Sequence, residues 1–126
     1  MIKNVLIVGL GGLLGSAGRY LLHLMMLKMG WDRFPAATMS ANVLGCLIFG
    51  VILGLSIKSD TKISHGLLIF LTTGFCGGFT TFSTFAIENI RMIERGALMG
   101  MVLYISLSVL LGLLAAYGGL TLTRNY

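Results

Sequence analysis

Charged residues are scarce in this chain of 126 amino acids. Lys, Arg, Asp and Glu make up 10% of it, whereas a soluble domain usually carries about 25%. Hydrophobic residues make up 56%, and the mean hydropathy is +0.95. So little polar surface cannot keep a globule of this size in water. The composition therefore excludes a soluble fold and indicates that the solvent of this chain is lipid.

Residues that would mark an enzyme or a nucleic-acid binder are also missing. Cys46 and Cys76 both lie in apolar stretches without metal-ligand spacing, and we interpret them as packing residues. The sequence has no Ser–His–Asp set, metal cluster or pair of acids at helical spacing, so we expect no enzyme. The net charge of +5 comes from basic residues spread among the loops, and we expect no nucleic-acid partner.

Four apolar runs are each long enough to cross a bilayer, which takes about 20 helical residues. They cover about residues 4–27, 37–57, 66–93 and 97–121, with short connections. The first run is too long for the apolar region of a signal peptide, and we interpret it as a retained span. The sequence therefore predicts an all-α integral membrane protein, with residues 1–126 forming a single four-helix transmembrane domain.

Basic residues do not favour either face of this four-helix arrangement. The face with both termini holds Lys3, Lys58, Lys62 and Arg124, and the other face holds Lys28, Arg33, Arg91 and Arg95. An excess of Lys and Arg normally marks the cytoplasmic side. The balanced count predicts insertion in both orientations, and two oppositely inserted copies can form an antiparallel dimer. The alternative is that subtler cues select one orientation.

The third run differs from the others because Gly, Thr and Ser crowd its centre. These residues are Thr72, Thr73, Gly74, Gly77, Gly78, Thr80, Thr81, Ser83 and Thr84. Gly and Thr are poor helix formers, and an unbroken helix over 66–93 would be about 42 Å long against a hydrocarbon core of about 30 Å. We therefore expect a break near 77–83. Its freed backbone groups must face protein, water or an ion, because lipid cannot satisfy them.

Such a break suits two kinds of ion. Converging carbonyl groups bind a hard cation such as sodium, whereas hydroxyl and N–H groups donate to an anion. The alternative is a kinked helix whose Thr hydroxyls bond back to the preceding turn. Phe79, Phe82 and Phe85 fall three apart and are predicted to share one helical face. That stripe is either packing or, because ring edges are positive, the wall of an anion path.

A few ionisable residues within or near the spans allow two interpretations. Arg19 lies well inside the first run, where it either attracts anions at a vestibule or snorkels and fixes a helix end. Glu88 lies near the end of the third run, where it belongs to a polar path or pairs with Arg91. We interpret His23 and His65 as interfacial structural residues.

Glycines spaced four apart recur in the first two runs and predict close helix packing, because small residues let backbones approach in lipid. The pairs are Gly11 with Gly15 and Gly50 with Gly54.

The stretch GGFTTFSTFAIE (77–88) is similar to the signature in the broken third helix of the Fluc family of bacterial fluoride channels. ATMSANVLG (37–45) resembles the second-helix motif, and GGLLGSAGRY (11–20) resembles the Gly–Arg motif of the first helix. Tyr104 and Ser108 match polar positions of the fourth helix. The resemblance covers almost the whole chain.

The resemblance implies a fluoride-selective channel in the bacterial cytoplasmic (inner) membrane that lets fluoride leave the cell passively. It implies an antiparallel, dual-topology homodimer in membrane lipid, with two pores built from both subunits. By position, Phe82 and Phe85 would line the pore, and Asn42 would donate its amide to fluoride. The other expected pore residues are Ser83, Thr84, Glu88, Tyr104 and Ser108.

The same resemblance implies a structural sodium ion at the dimer centre. Gly77 and Thr80 would give it backbone carbonyls, and Arg19 would be a vestibule or structural residue. The sequence departs from the family pattern at Ala86, where a serine is frequent, and at Gly112, where a polar residue can occur.

Two rival functions are compatible with four spans. A proton-coupled exporter of the small multidrug type needs a membrane-embedded carboxylate, and Glu88, near a helix end, is the candidate. A non-transporting membrane assembly subunit would use the Gly-rich faces for packing, but it leaves the Thr-rich break without a role.

Overall fold

The computed structural model of the chain describes residues 1–31, 34–58 and 63–124. Four stretches are helical, and each is long and apolar enough to cross a membrane: Ile2–Lys28, Ala36–Ile57, His65–Glu94 and Leu98–Arg124. Their ends agree with the predicted spans to within three residues, and the described residues include no strand. The predicted all-α, multi-pass membrane protein is confirmed. Arg33 and Lys62, which enter the predicted charge balance, lie outside the described residues.

The helices are α1 (Ile2–Lys28), α2 (Ala36–Ile57), α3 (His65–Ile69), α4 (Gly77–Phe79), α5 (Phe82–Glu94) and α6 (Leu98–Arg124). A π-helix, Phe70–Cys76, joins α3 to α4, and we call it the π segment. The third span thus runs from α3 to α5. Ser64 begins it as an N-cap, accepting the Leu67 N–H at 3.2 Å.

The break in the third span lies between α4 and α5, within the predicted range. Thr80 (φ −83°, ψ 158°) and Thr81 (φ −151°, ψ 121°) have extended backbones. The predicted broken third helix is therefore confirmed. The Thr72 and Thr80 hydroxyls do bond back to the carbonyls of Leu68 and Cys76, at 2.7 and 2.9 Å. That feature of the kinked-helix alternative is present, but it accompanies a break rather than replacing it.

Glycines bring α1 into backbone contact with the first half of the third span. A Cβ on Gly11 or Gly15 would overlap the carbonyl oxygen of Phe70 or Phe75. From the other side, a Cβ on Gly74 would come within 2.8 Å of the Val8 carbonyl oxygen. The predicted packing role of the Gly11–Gly15 pair is therefore confirmed, and Gly74 contributes the same property from the third span.

A second glycine seam joins α2 to α6. A Cβ on Gly50 would overlap the Ala116 carbonyl, and one on Gly54 would come within 2.7 Å of the Leu120 carbonyl oxygen. The Thr123 hydroxyl crosses the seam to donate to the Val51 carbonyl at 3.1 Å. The first seam fixes α1 against the part of the third span before the break, and the second fixes α2 against α6.

Enlarging a seam glycine should destabilise the fold. Gly15→Ala places a methyl group into the backbone of the third span, and we expect a loss of about 1–3 kcal/mol from overpacking. Gly9→Ala is the matched control on the same helix, because a Cβ there meets nothing within 4 Å. The control should be neutral or more stable by up to about 1 kcal/mol, since Ala is the better helix former. Reversible unfolding in mixed micelles measures both, and equal effects would contradict the seam.

Candidate functional site

The side chain of Asn42 on α2 hydrogen-bonds the backbone of Thr81 in the break. Its Oδ1 accepts the Thr81 N–H at 2.8 Å, and its Nδ2 donates to the Thr81 carbonyl at 3.1 Å. Both backbone groups of an extended residue are thus paired by one carboxamide, which replaces the helical partners they have lost. Thr81 in turn is the N-cap of α5, because its Oγ1 accepts the Thr84 N–H at 3.3 Å.

The same bonds free carbonyl groups at the end of α4. In a continuous helix the Thr81 N–H would donate to Gly77, and the Thr84 N–H would donate to Thr80. Here these donors bind Asn42 and the Thr81 hydroxyl instead. The carbonyls of Gly77 and Thr80, which are the predicted sodium ligands, have therefore lost their helical donors.

Gly77 and Thr80 line one concave groove of about 470 Å³ between α2, the third span and α6. Gly77 is exposed, and a Cβ there would meet nothing within 4 Å. Cys46 and Cys76 line the same groove and are half-buried and buried. The two predicted cation ligands thus lie together on an accessible surface of this chain.

The half-buried carboxylate of Glu88 lies between α2, α5 and α6, on the C-terminal side of the break. Glu88 Oε1 accepts the Thr38 hydroxyl of α2 at 2.7 Å, and Oε2 accepts the Tyr104 hydroxyl of α6 at 2.7 Å. Tyr104 is fully buried. Both oxygens are therefore bound to hydroxyl groups of neighbouring helices, and Arg91 is not among these partners.

Aromatic rings surround Tyr104. The ring of Phe85 lies 5.0 Å from it, and the ring of Phe34 lies 5.5 Å from it in an edge-on arrangement. Phe82 continues the row, 5.9 Å from Phe85, and is 80% exposed. A row of rings thus leads from an exposed position beside the break to the buried Tyr104, which is bonded to Glu88.

The expectation that Phe79 shares a face with Phe82 and Phe85 is wrong. Phe79 is buried and stacks on Phe75, with ring centroids 5.7 Å apart. The cause is the extended pair Thr80–Thr81, which interrupts the helical periodicity between the first ring and the other two. Phe79 is therefore a packing residue of α4.

Hydroxyl groups flank the row of rings. Ser83 and Thr84, in the first turn of α5, are exposed, and the Thr81 hydroxyl donates to that of Thr84 at 3.1 Å. The hydroxyl of Ser108, one turn beyond Tyr104 on α6, is buried without a hydrogen-bond partner in the described part of the chain. A buried hydroxyl without a partner is costly, so Ser108 Oγ retains an unused capacity for hydrogen bonding.

Arg19 is attached to the other side of the break. Its Nε donates to the Gly78 carbonyl at 3.3 Å, which replaces the helical donor that this carbonyl has lost. The guanidinium also lines a cavity of about 280 Å³ between α1, α2 and the start of α5. Both interpretations of Arg19 therefore have support, since it fixes a helix end and faces a cavity.

Comparison with known protein families identifies the family of this chain. The family model described as CrcB-like protein, Camphor Resistance (CrcB), matches residues 6–120, which include the break, all of α2 to α5 and most of α1 and α6. The chain belongs to the CrcB family.

Curated relatives of this CrcB-family chain match it over nearly its full length. Each of the following is named Fluoride-specific ion channel FluC. The protein of Azobacteroides pseudotrichonymphae genomovar. CFP2 is 39% identical over 100% of both chains. That of Flavobacterium psychrophilum is 42% identical over 98% of both chains. That of Chlorobium phaeobacteroides is 42% identical over 94% of this chain and 90% of its own.

Several contacts of the site were not predicted from the sequence. Thr38 binds Glu88, and Thr81 receives both bonds of Asn42. Thr38 precedes Asn42 by four residues, so helical spacing alone places both on one face of α2. Thr81 carries a weaker signal, because Thr is a preferred N-cap residue. The ring of Phe34 packs on Tyr104 from the connection before α2, and no motif marks it.

Removing the Tyr104 hydroxyl should destabilise the protein while keeping the rings in place. Tyr104→Phe leaves Glu88 with one of its two donors, and a lost hydrogen bond to a charged group costs about 1.5–3 kcal/mol. Tyr117→Phe on the same helix is the matched control, since Tyr117 is 67% exposed. Unfolding in mixed micelles should separate the two variants. Equal stability would show that the Tyr104–Glu88 bond contributes nothing.

Proposed function

We propose that this CrcB-family chain is a fluoride-selective ion channel that lets fluoride leave the cell passively and so lowers cytoplasmic fluoride. The observation that carries the proposal is the interruption at Thr80–Thr81 in the middle of a membrane span, with exposed hydroxyls and an exposed phenyl ring beside it. The names of full-length relatives at 39–42% identity support the choice of ion.

A second copy of the chain would complete the site. Ser83 and Thr84 are exposed in the single chain although they lie near the middle of a span. Hydroxyls and the start of a helix are not left against lipid, because nothing there satisfies them. Another protein surface and water must therefore cover this face. The balanced Lys and Arg count supports an antiparallel, dual-topology homodimer with two pores.

The pore residues would replace the hydration shell of fluoride without holding it too tightly. Asn42 uses one of its two Nδ2 hydrogens on Thr81, and the second is left for an anion. Ser83, Thr84 and Ser108 supply uncharged hydroxyl donors. Phe82 and Phe85 supply positive ring edges, which attract an anion more weakly than a fixed cation would.

Glu88 and Tyr104 are bonded to each other, so they are not free to donate to the ion as the other pore residues are. The single hydrogen of the Tyr104 hydroxyl goes to Glu88, so in this arrangement it does not donate to fluoride. The carboxylate is also held by Thr38. We infer that the pair positions the Phe85 ring, and that donation from Tyr104 to fluoride requires this bond to open.

The proposed structural sodium ion fits the donor set at the end of α4. Gly77 and Thr80 offer carbonyl oxygens whose helical donors are bound elsewhere, and oxygen is the ligand that hard cations prefer. Bound sodium would supply positive potential near the anion path without contacting fluoride. The accessible groove that holds both residues would let the same carbonyls of a second copy contribute.

Fluoride flux from liposomes tests the proposed function. Purified protein in liposomes should give fast passive fluoride efflux and negligible chloride efflux at ion-selective electrodes. Phe82→Ile removes the exposed ring and should lower the flux by more than about tenfold, the factor given by a barrier about 1.4 kcal/mol higher. Asn42→Leu removes the amide donor and should also slow it strongly.

The matched control is Leu113→Ile on α6, an apolar side chain that is also exposed but lies far along the sequence from the break. It should conduct like the unsubstituted protein. Unchanged flux in Phe82→Ile and Asn42→Leu would contradict the pore assignment. Proton-coupled transport of lipophilic cations without fluoride flux would favour the exporter, and no flux at all would favour the assembly subunit.

Replacing sodium should weaken the proposed dimer. An ion that binds only the assembled state stabilises it by about 2.7 kcal/mol at one hundred times its Kd. Purification in a large organic cation in place of sodium should therefore lower the melting temperature of the dimer by several degrees, and returned sodium should restore it. A melting temperature independent of sodium would contradict the ion site and leave the fluoride flux test unaffected.

A further inference from the structure

The cavity that Arg19 faces contains a group with no part in the pore described above. Its volume is about 280 Å³, roughly nine times the share of one water molecule in the liquid, so it has room for a small anion with some of its hydration shell. His23 is among its lining residues. The sequence suggested only an interfacial structural role for His23.

His23 and Arg19 act on the same space. They are four residues apart on α1, so they lie on one face of the helix about 6 Å apart at their Cβ atoms. Arg19 uses its Nε on Gly78, and its remaining N–H donors are available to the cavity. The hydroxyls of Ser16 and Thr84 line it as well. The cavity is therefore a donor-rich pocket with one permanent positive charge.

No carboxylate lines this cavity among the residues that the structure describes. Besides His23, the titratable or charged groups that α1 contributes are Arg19 and Tyr20. The lining residues of α2 are Ala37 and Thr38, and those at the start of α5 are Thr81 and Thr84, all of them uncharged.

Glu88 is bonded to the lining residue Thr38, and both of its carboxylate oxygens are bound to hydroxyl groups. Asp32 and Arg33, in the connection after α1, lie outside the described residues. A positive charge on His23 would therefore add to that of Arg19, and the described lining residues include no acid to cancel it.

We propose that His23 is a proton-controlled second positive charge of an anion-capturing cavity at the pore entrance, so that acidification strengthens the capture of fluoride. The proposal rests on the proposed function. Histidine is the side chain that can gain a charge within the physiological pH range. While His23 is neutral, Arg19 acts alone. Once His23 is protonated, two cations about one helical turn apart attract the incoming anion.

Single-channel current at low fluoride tests this role. Capture limits the current only when fluoride is below saturation. The recording therefore compares low with saturating fluoride, each at about pH 5.5 and at about pH 8, a range wide enough to change the charge of histidine side chains in general. Current is the correct readout because neutral HF, which crosses lipid by itself, carries no charge. At low fluoride we expect the current to rise about two- to tenfold on acidification, the effect of one added charge several ångströms away. At saturation the rise should disappear.

Substitutions of His23 test whether its side chain causes the pH dependence of the current. His23→Gln should remove the pH dependence, and His23→Lys should give high current at low fluoride at both pH values. His65→Gln is the matched control, since His65 begins the third span away from this cavity and should keep the pH response. Size-exclusion chromatography checks that each variant assembles like the unsubstituted protein.

The outcomes separate this inference from the function on which it rests. A normal fluoride current without pH dependence at low fluoride contradicts the role of His23 alone. A full pH response in His23→Gln does the same, because another group would then be responsible. The absence of fluoride current at both pH values contradicts the proposed function, and the inference with it.

Discussion

A backbone that stops being helical in the middle of a membrane must find a partner for every polar group that the helix no longer satisfies. In this chain the partners come from three directions. Asn42 takes the N–H and carbonyl of Thr81, Arg19 takes the carbonyl of Gly78, and the Thr81 hydroxyl caps the next helix. Each unsatisfied group would cost several kcal/mol in lipid, so these bonds are the condition under which the break exists.

The glycine seams are what bring those partners within reach. Arg19 can bond to the Gly78 carbonyl only because α1 lies in backbone contact with the third span, where Gly15 and Gly78 leave no room for a methyl group. Gly45 plays the corresponding part on α2, where a Cβ would overlap the Thr80 side chain. Lipid gives no hydrophobic force between helices, so close packing of small residues supplies the contact energy. The hydrogen bonds at the break therefore depend on the close helix packing that the glycines allow.

The sequence allowed the four spans and the break to be predicted because both follow from local composition. Hydropathy gives the spans to within three residues, and the density of Gly and Thr gives the break. The π segment and the bonds of Glu88 could not be predicted, because they depend on how separate helices meet. The grouping of Phe79 with Phe82 was wrong because a helical period was applied across the residues that interrupt it. Placing the break at its two threonines first would have separated these rings.

The direction of the two half-helices explains how one break can serve ions of opposite charge. The first half ends at Phe79 and presents carbonyls at its C-terminal end, the negative end of the helix dipole. The second half begins at Phe82 and presents N–H groups and hydroxyls at its N-terminal, positive end. The carbonyls of Gly77 and Thr80 therefore favour a cation, while Ser83 and Thr84 favour an anion only a few residues away. A continuous helix would cancel both ends against each other. The separation of the two halves at Thr80–Thr81 is therefore what the proposed cation and anion sites both require, since they are built from uncharged residues.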